Sequence, residues 1–570
     1  MPEGLLSSKV WLIQAGIMPD VVNPLERLFI MAVFTSRIAS NTAAFAQNRA
    51  DMLALVDRLR RVEARAVEAS NRRKDTFEKR GQLTPQERLH RLLDPGMPFL
   101  RLHSLANYLL EDPDPETSLA GGSVILGIGF VSGVRCMIWG DDSGIRAGAG
   151  TMGGLRASLN IQEMALKFGL PVVHMVESAG ANLMEYEVEW WANAGRMYCN
   201  FARLSAAGIP VISVLHGPST AGGAYMPGMS DYVIGIKNNG MAALGGAALV
   251  KAATGEEADE RELGGTEMHA SVSGVIEYLA DDDAQGLSMA RDVVRRLNWN
   301  AKATSPKRRS FTPPKLATDD IAGVVPTDYT VPYDVREVVA RIVDGSDFED
   351  FKPRFGSSTV CMHADIMGFA CGIIGNNGPI DTQGANKAGQ FFQLCDQANI
   401  PIIFLNNTTG FMVGKEYEQA GMVKHGSKMI QAVANVRVPK ITLYIGASFG
   451  AGNYAMGGYA YDPDMLFSWP NATTGVMAGQ SAAKTMSTVA EVRAQRTGKT
   501  VTQEELDAQE AVIRDIFDRQ EDAFYTSGRC LDHGVIDPRD SRKVLGFALE
   551  TVLEARGRTL QPNAFGVARL

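Results

Sequence analysis

The sequence predicts an α/β protein made by tandem duplication of one domain. Strand-like and helix-like stretches alternate through most of its 570 residues, which implies crossover units and a largely parallel sheet. Landmarks also recur at a near-constant spacing. Pro171 and Pro401 stand 230 residues apart, Pro210 and Pro439 stand 229 apart, and so do Gly222-Gly223 and Ala451-Gly452. In each half, finally, an apolar run (residues 209–215 and 438–445) enters a small-residue turn able to open a helix. The first turn reads Ala221-Gly222-Gly223-Ala224-Tyr225 and the second Gly450-Ala451-Gly452-Asn453-Tyr454. Chance rarely holds three such landmarks in register.

Taken in order, the chain begins with an extension, 1–47, that carries no readable pattern. A helical stretch from Thr42 to Lys79 follows, with Met52, Leu53, Leu55, Val56 and Leu59 on one face. It reads as a surface helix or an oligomer contact. Thr84, with Pro85 next and Glu87 three residues on, predicts a capped helix start. Residues 123–130 and 134–139 read as a hairpin around Ser132-Gly133. Helices are expected over 157–168 and 195–206, before strands at 170–176 and 209–215. A first domain thus spans 48–310. The Pro-rich, basic run from Lys302 to Pro332 marks a linker, bounded at 311–333, before a second domain, 334–570. There a hairpin recurs around Met367-Gly368, over 362–377. Thr502-Gln503-Glu504-Glu505 caps a charged helix, and 542–556 forms the last one.

Composition excludes several classes. The length calls for more than one core, and 45% hydrophobic with 21% charged residues is ordinary globular usage. A net charge of −8 argues against general nucleic-acid binding. Six cysteines without CxxC spacing and eight histidines without HxxxH or HExxH leave no metal site, and they fit a reduced, cytosolic protein. No apolar run reaches membrane-spanning length, and no signal-peptide pattern precedes residues 28–34.

Catalytic motifs are few. Gly446-Ala447-Ser448-Phe449-Gly450 fits the nucleophile elbow, but only His533 lies beyond it, and Gly217 and Ser219 repeat the pattern as turn residues. Gly148-Ala149-Gly150-Thr151-Met152-Gly153 fits GxGxxG without an adjoining strand, and the looser match at 450–455 lacks a ribose-binding acid. There is no phosphate-binding G-x-x-x-x-G-K-[ST] loop and no Met-Lys-Met around a biotin-carrying lysine. The two small-residue turns remain. A packing role accounts for one such turn, but duplication at matched positions favours a pair of oxyanion sites built from free N–H groups. A second loop repeats too, Glu177-Ser178-Ala179-Gly180-Ala181-Asn182 against Asn407-Thr408-Thr409-Gly410-Phe411-Met412. In a parallel sheet such loops meet at one rim.

From about Asn48 to Gly557 the chain resembles the carboxyltransferase (β) subunits of biotin-dependent acyl-CoA carboxylases. The resemblance rests on residues 80–96, 127–133, 203–210, 220–227, 249–256, 333–336, 392–413 and 448–456. Lys251-Ala252-Ala253-Thr254-Gly255-Glu256 is similar to methylcrotonyl-CoA and geranyl-CoA carboxylases rather than propionyl-CoA carboxylases. The resemblance implies a crotonase-like (ββα superhelix) fold in each half. It implies transfer of a carboxyl group from carboxybiotin to the α or vinylogous γ carbon of an acyl-CoA, with no protein base. Two oxyanions then need donors, the thioester enolate and the biotin ureido oxygen. By resemblance, the N–H groups of Gly222 and Gly223 hold the first and those of Ala451 and Gly452 the second. Gly180, Ala181, Ala224 and Tyr225 would contact the coenzyme A thioester substrate. Thr409, Gly410, Phe411, Phe449 and Asn453 would surround biotin. The implied partners are a biotinylated α subunit, with biotin carboxylase and biotin carrier, and further copies in a β hexamer. The implied place is the cytoplasm, or the mitochondrial matrix in a eukaryote.

Departures from the family pattern at residues 151–155, 177–182, 246–248 and 478–481 leave the two turns intact. They point to an acyl group more branched or longer than methylcrotonyl. Other readings remain at this stage: a decarboxylase subunit of a biotin-dependent membrane pump, a hydratase-like crotonase using carboxylates such as Glu177, and a non-catalytic scaffold.

Overall fold

Two sheets of one plan carry the molecule. The computed structural model describes residues 34–180, 187–498 and 501–562. In the first half, β1 (Leu100–Leu102), β2 (Val124–Val131) and β3 (Val134–Asp141) run antiparallel. From β3 the sheet continues parallel through β4 (Val172–Ser178), β5 (Val211–Thr220), β6 (Tyr232–Ile236) and β8 (Tyr278–Ala280), while β7 (Met241–Ala243) pairs with the far end of β5. In the second half β9 (Phe348–Phe351), β10 (Thr359–Ile366) and β11 (Phe369–Asn376) are antiparallel. β12 (Ile402–Thr408), β13 (Lys440–Phe449) and β14 (Met465–Ser468) follow in parallel, with β15 (Thr473–Gly475) beside β13. The central strands are apolar and buried on both faces, as parallel strands covered by crossover helices must be.

The duplication extends to details. Ser132-Gly133 and Met367-Gly368 both sit at positive φ, the geometry that a two-residue hairpin requires. An aspartate braces each turn: Asp94 accepts from the N–H groups of Ser132 and Gly133, and Asp344 from those of Met367 and Gly368. Crossover helices Met152–Phe168 and Thr382–Ala398 start 230 residues apart, each with a side-chain cap, Thr151 and Asp381. The expected capping boxes form at Thr84 and Thr502.

Three elements differ from expectation. The helix expected at 157 begins at Met152, because Gly153 and Gly154 press against the backbone of Asn107 and Gly122 where no side chain fits. The helix expected at 195 begins at Val188. The strand expected to end at Leu215 runs to Thr220, because β7 pairs with residues 218–220.

The helix Ala43–Asn71, capped by Thr42, packs one face, with Phe45, Met52, Val56, Leu59, Val62 and Ala66, against its own chain. Phe45 lies over Gly323, where no side chain would fit, and Arg49 pairs with Asp319. Arg58 reaches Asp522 at 3.0 Å, and Ser70 donates to Asp142. Residues 34–37 run along the second half, where Ser36 Oγ and Arg37 N–H donate to Glu337. The Pro-rich segment is likewise packed. Arg308 donates to Met367 O, and Ile321, Ala322, Val324 and Val325 are buried in a core that draws on both sheets. The last helix, Ser541–Arg556, joins the halves: Arg542 binds Asp344, while Glu550 and Glu554 bind Arg135.

A histidine pair also crosses the junction. His103 N–H donates to His533 O, and the rings lie 5.6 Å apart. Burial holds His103 down to about 4 and His533 down to about 3, against an ordinary 6.5. The unfolded chain therefore takes up protons that the folded pair refuses as pH falls below about 6.5. Asp532 opposes this, because burial raises its carboxyl to about 6 and the folded state protonates it first. Two imidazoles outweigh one carboxyl, so the melting temperature is expected to fall between about pH 6 and pH 4. Asp532→Asn should steepen that fall, read by thermal melts across the range.

Candidate functional site

The small-residue turns lie at the ends of β5 and β13, where the chain leaves the sheet. Each adjoins a β-bulge in the strand pair beneath it, between Val176 and Ser178 in the first half and between Asn406 and Thr408 in the second. Each turn opens with a residue in left-handed backbone, Ala221 (φ 54°) and Gly450 (φ 55°). A helical turn then begins, at Ala221–Ala224 leading into Tyr225–Gly228, and at Gly450–Ala455. The first N–H groups of a helical turn have no acceptor within it, so those of residues 222, 223, 451 and 452 are available to an anion. The neighbouring loops match as well: Gly180 N–H donates to Ser178 Oγ and Gly410 N–H to Thr408 Oγ1.

The first turn opens onto a cavity of about 790 Å³. Gly180, Gly222, Gly223 and Tyr225 line it. Ala224 is half-buried behind them, and Ala181 lies outside the described residues. The opposite walls come from residues 148–155, of which the sequence pointed to 151–155 as bearing on the acyl group, and from a stretch it did not single out, the start of the helix Val188–Ala206, with Trp190, Trp191, Gly195 and Tyr198. The GxGxxG string at 148–153 is thus a cavity wall, without the preceding strand that a dinucleotide turn needs. Trp190 is set by its Nε1–H donating to Thr151 O and by its ring lying against Gly150, where a Cβ would stand 2.7 Å from it.

Beneath this rim lies a buried ionic network. Arg88, 1% exposed in its side chain, binds Glu177 at 2.6 Å and Asp283 at 3.1 Å. Asp283 also meets His216 Nδ1 at 2.7 Å and accepts from Leu83 N–H. Gln82 donates to His216 O. Burial keeps His216 neutral, aided by the Arg88 charge. Burial opposes ionisation of Asp283, but His216, Arg88 and Leu83 N–H hold its carboxyl below the usual range. Glu177, the penultimate residue of β4, is therefore a structural anchor that does not line the cavity. Its counterpart in the second half, Asn407, accepts from Ala447 N–H.

The second turn opens onto a cavity of about 580 Å³ lined by Gly450, Ala451, Asn453, Tyr444, Tyr454, Thr474 and residues of 516–531. Asn453 Nδ2 donates to Ser448 Oγ and Tyr444 Oη. Gly452 is buried against Gly410, where a Cβ would stand 2.8 Å from the Gly410 Cα. The other expected biotin contacts lie elsewhere in this chain. Thr409 is exposed, Phe411 packs into the second-half core, and Phe449 is buried with its ring 5.6 Å from Tyr329. None of these three lines the cavity. Ser448 is fully buried, with Asn406 and Asn453 donating to its oxygen. His533 Nδ1 accepts from Leu466 N–H, so no serine nucleophile is assembled.

The family described as the carboxyl transferase domain matches residues 77–566. The chain belongs to that family. A relative from Mycobacterium tuberculosis, a probable biotin-dependent acyl-coenzyme A carboxylase beta2 subunit, is 42% identical, over 94% of this chain and 99% of the relative. The mitochondrial methylcrotonoyl-CoA carboxylase beta chain of Arabidopsis thaliana is 39% identical, over 99% and 97%. Among solved structures, the geranyl-CoA carboxylase beta subunit of P. aeruginosa superposes with a TM-score of 0.88 at 48% identity, over 94% of this chain and 100% of that one. The carboxyltransferase thus belongs with the β subunits of biotin-dependent acyl-CoA carboxylases, and its halves share the crotonase-like fold. Among the described residues no cluster of acids, histidines and cysteines could hold a metal, and no helix is long and apolar enough to cross a membrane.

Proposed function

We propose that the two turns divide one carboxyl transfer between them. The first holds the thioester oxygen of an acyl-CoA through the N–H groups of Gly222 and Gly223, most tightly when that oxygen carries enolate charge. The second holds the ureido oxygen of biotin, brought by a biotinylated partner subunit, through the N–H groups of Ala451 and Gly452. One observation carries this reading: the same turn ends β5 and β13, and each copy opens onto its own cavity. The second cavity fits the group, since Gly450 and Ala451 line it together with Tyr444, Tyr454, Val476 and Asn453. Biotin, when bound, supplies the carboxyl group and the proton acceptor. The protein then needs only donors placed in advance, which act most strongly where water is excluded.

A hydratase-like reading would need a free carboxylate in the first cavity. Glu177 is tied to Arg88. Asp141, which lines the cavity, accepts from Glu177 N–H and lies 3.3 Å from His174 Nε2.

The acyl group is proposed to be longer or more branched than methylcrotonyl. The cavity walls are mostly apolar, from Trp139, Leu155, Trp190, Met197 and Met226, as a hydrocarbon tail would require. Gly195 sits inside the helix Val188–Ala206, where glycine costs about 1 kcal/mol relative to alanine. A Cβ there would meet nothing within 4 Å. Gly195→Leu is therefore expected to lower kcat/KM for a ten-carbon acyl-CoA by about tenfold, and less for a five-carbon one. Equal loss for both would place the tail elsewhere.

Among the described residues none lines both cavities, and Trp191, Leu244, Leu249 and Val476 are exposed. We take the working unit to be a β hexamer within a larger complex, where the first turn of one copy faces the second turn of another. Six unpaired cysteines fit the cytoplasm or a mitochondrial matrix. The deciding assay mixes the chain with its biotinylated partner, ATP, labelled bicarbonate and a panel of acyl-CoAs. Incorporation into a long or branched acyl-CoA is expected; none into any member would reject the reading.

A further inference from the structure

Tyr198 stands in the first cavity with its hydroxyl beside Gly222. It lies on the helix Val188–Ala206, and its ring meets Tyr225 edge-on at 5.9 Å. A Cβ on Gly222 would stand 2.6 Å from Tyr198 Oη. The phenol therefore occupies the space beside Gly222, the second residue of the first turn. Among the described residues the hydroxyl makes no hydrogen bond, and the walls around it are largely apolar. Tyr198 is half-buried and lines the cavity, so its hydroxyl is open to whatever the cavity holds and a bound ligand can take the place of water on it. Phenylalanine would keep the contact with Tyr225, so the hydroxyl is what tyrosine adds at this position.

We propose that Tyr198 is a catalytic residue of the acceptor site: its hydroxyl donates a third hydrogen bond to the acyl-CoA thioester oxygen, beside the N–H groups of Gly222 and Gly223. The proposal rests on the reading of the first turn as the thioester site. A carbonyl oxygen carries two lone pairs, and an enolate oxygen, with more charge, gains more from each donor. Burial and the nearby Tyr225 hold the phenol above its ordinary range, so it keeps its proton at neutral pH. Its role is to donate, and the proton lost from substrate carbon goes elsewhere. The same hydroxyl explains why position 222 is glycine, since any side chain there would displace the donor.

The test uses the assembled enzyme with its biotinylated partner, wild type and Tyr198→Phe. Two ligands are titrated calorimetrically: a CoA thioether bearing a nitronate, which mimics the enolate, and the matching saturated CoA thioether. Tyr198→Phe is expected to bind the nitronate about tenfold or more weakly and the saturated thioether within about twofold. Carboxylation kcat should fall by a similar factor with KM little changed. Equal weakening of both ligands, or weakening of neither, overturns the proposal while leaving the first turn as the thioester site. Failure of the wild type to prefer the nitronate overturns the reading of the turn itself, and the proposal falls with it.

Discussion

Gly223→Pro is expected to lower acyl-CoA carboxylation by on the order of 10²–10³-fold or more in a protein that still folds. Proline removes one N–H donor and nothing else of the turn's polarity. Gly223 has ordinary negative φ, since it is absent from the residues in left-handed backbone, and it stands in the first turn of a helical segment, where proline is tolerated. Its new ring atoms would meet Ser219 Oγ, which stands 2.8 Å from the Cβ position and has no hydrogen-bond partner to lose. Gly223→Ala adds the same Cβ but keeps the N–H group, and so separates crowding from donor loss. The expected pattern is a large fall in kcat for proline and a small one for alanine, measured by labelled-bicarbonate incorporation. Equal losses would assign Gly223 to packing.

The second large effect is on stability. Arg88→Met should destabilise the fold by about 3–5 kcal/mol, because it leaves two buried carboxylates without their cation. Glu177 and Asp283 are 6% and 2% exposed in their side chains. The remaining neighbour, His216, is held neutral by burial. Adding Glu177→Gln to Arg88→Met should recover part of the loss, because it removes one of the stranded charges. The damage should also reach function. Glu177 is the penultimate residue of β4, three before Gly180, and a side chain at Gly217 on β5 would stand 2.5 Å from its carboxylate. Chemical denaturation of the single and double variants measures the first effect, and carboxylation by the surviving fold measures the second.

Local chemistry made much of the fold legible. The hairpins at Ser132-Gly133 and Met367-Gly368, the caps at Thr84 and Thr502, and the two small-residue turns each depend on residues adjacent in the chain. Backbone conformation at a turn or cap is set by those few side chains, so a single sequence displays it. The duplication was visible for the same reason: each copy must repeat the local devices of its partner.

The tertiary structure decided what those devices face. Residues 148–153 read as a poor dinucleotide motif, 151–155 as a departure bearing on the acyl group, and Trp190-Trp191 as nothing in particular, yet the fold brings all of these stretches to the first cavity. Glu177 read as a candidate acid and is an anchor for Arg88. The Pro-rich segment read as a linker, yet residues 321–325 enter the common core. Phe449, one residue before the second turn, points into packing against Tyr329. In each case the deciding partner lies tens to hundreds of residues away. Periodicity shows that a face is apolar, and a motif shows that a turn is tight, but neither says which distant element covers the face or completes the site. The sequence by itself determined two matched small-residue turns at the ends of two strands; the packing of helices and loops around them decided which one opens onto a large apolar cavity, with Tyr198 beside it.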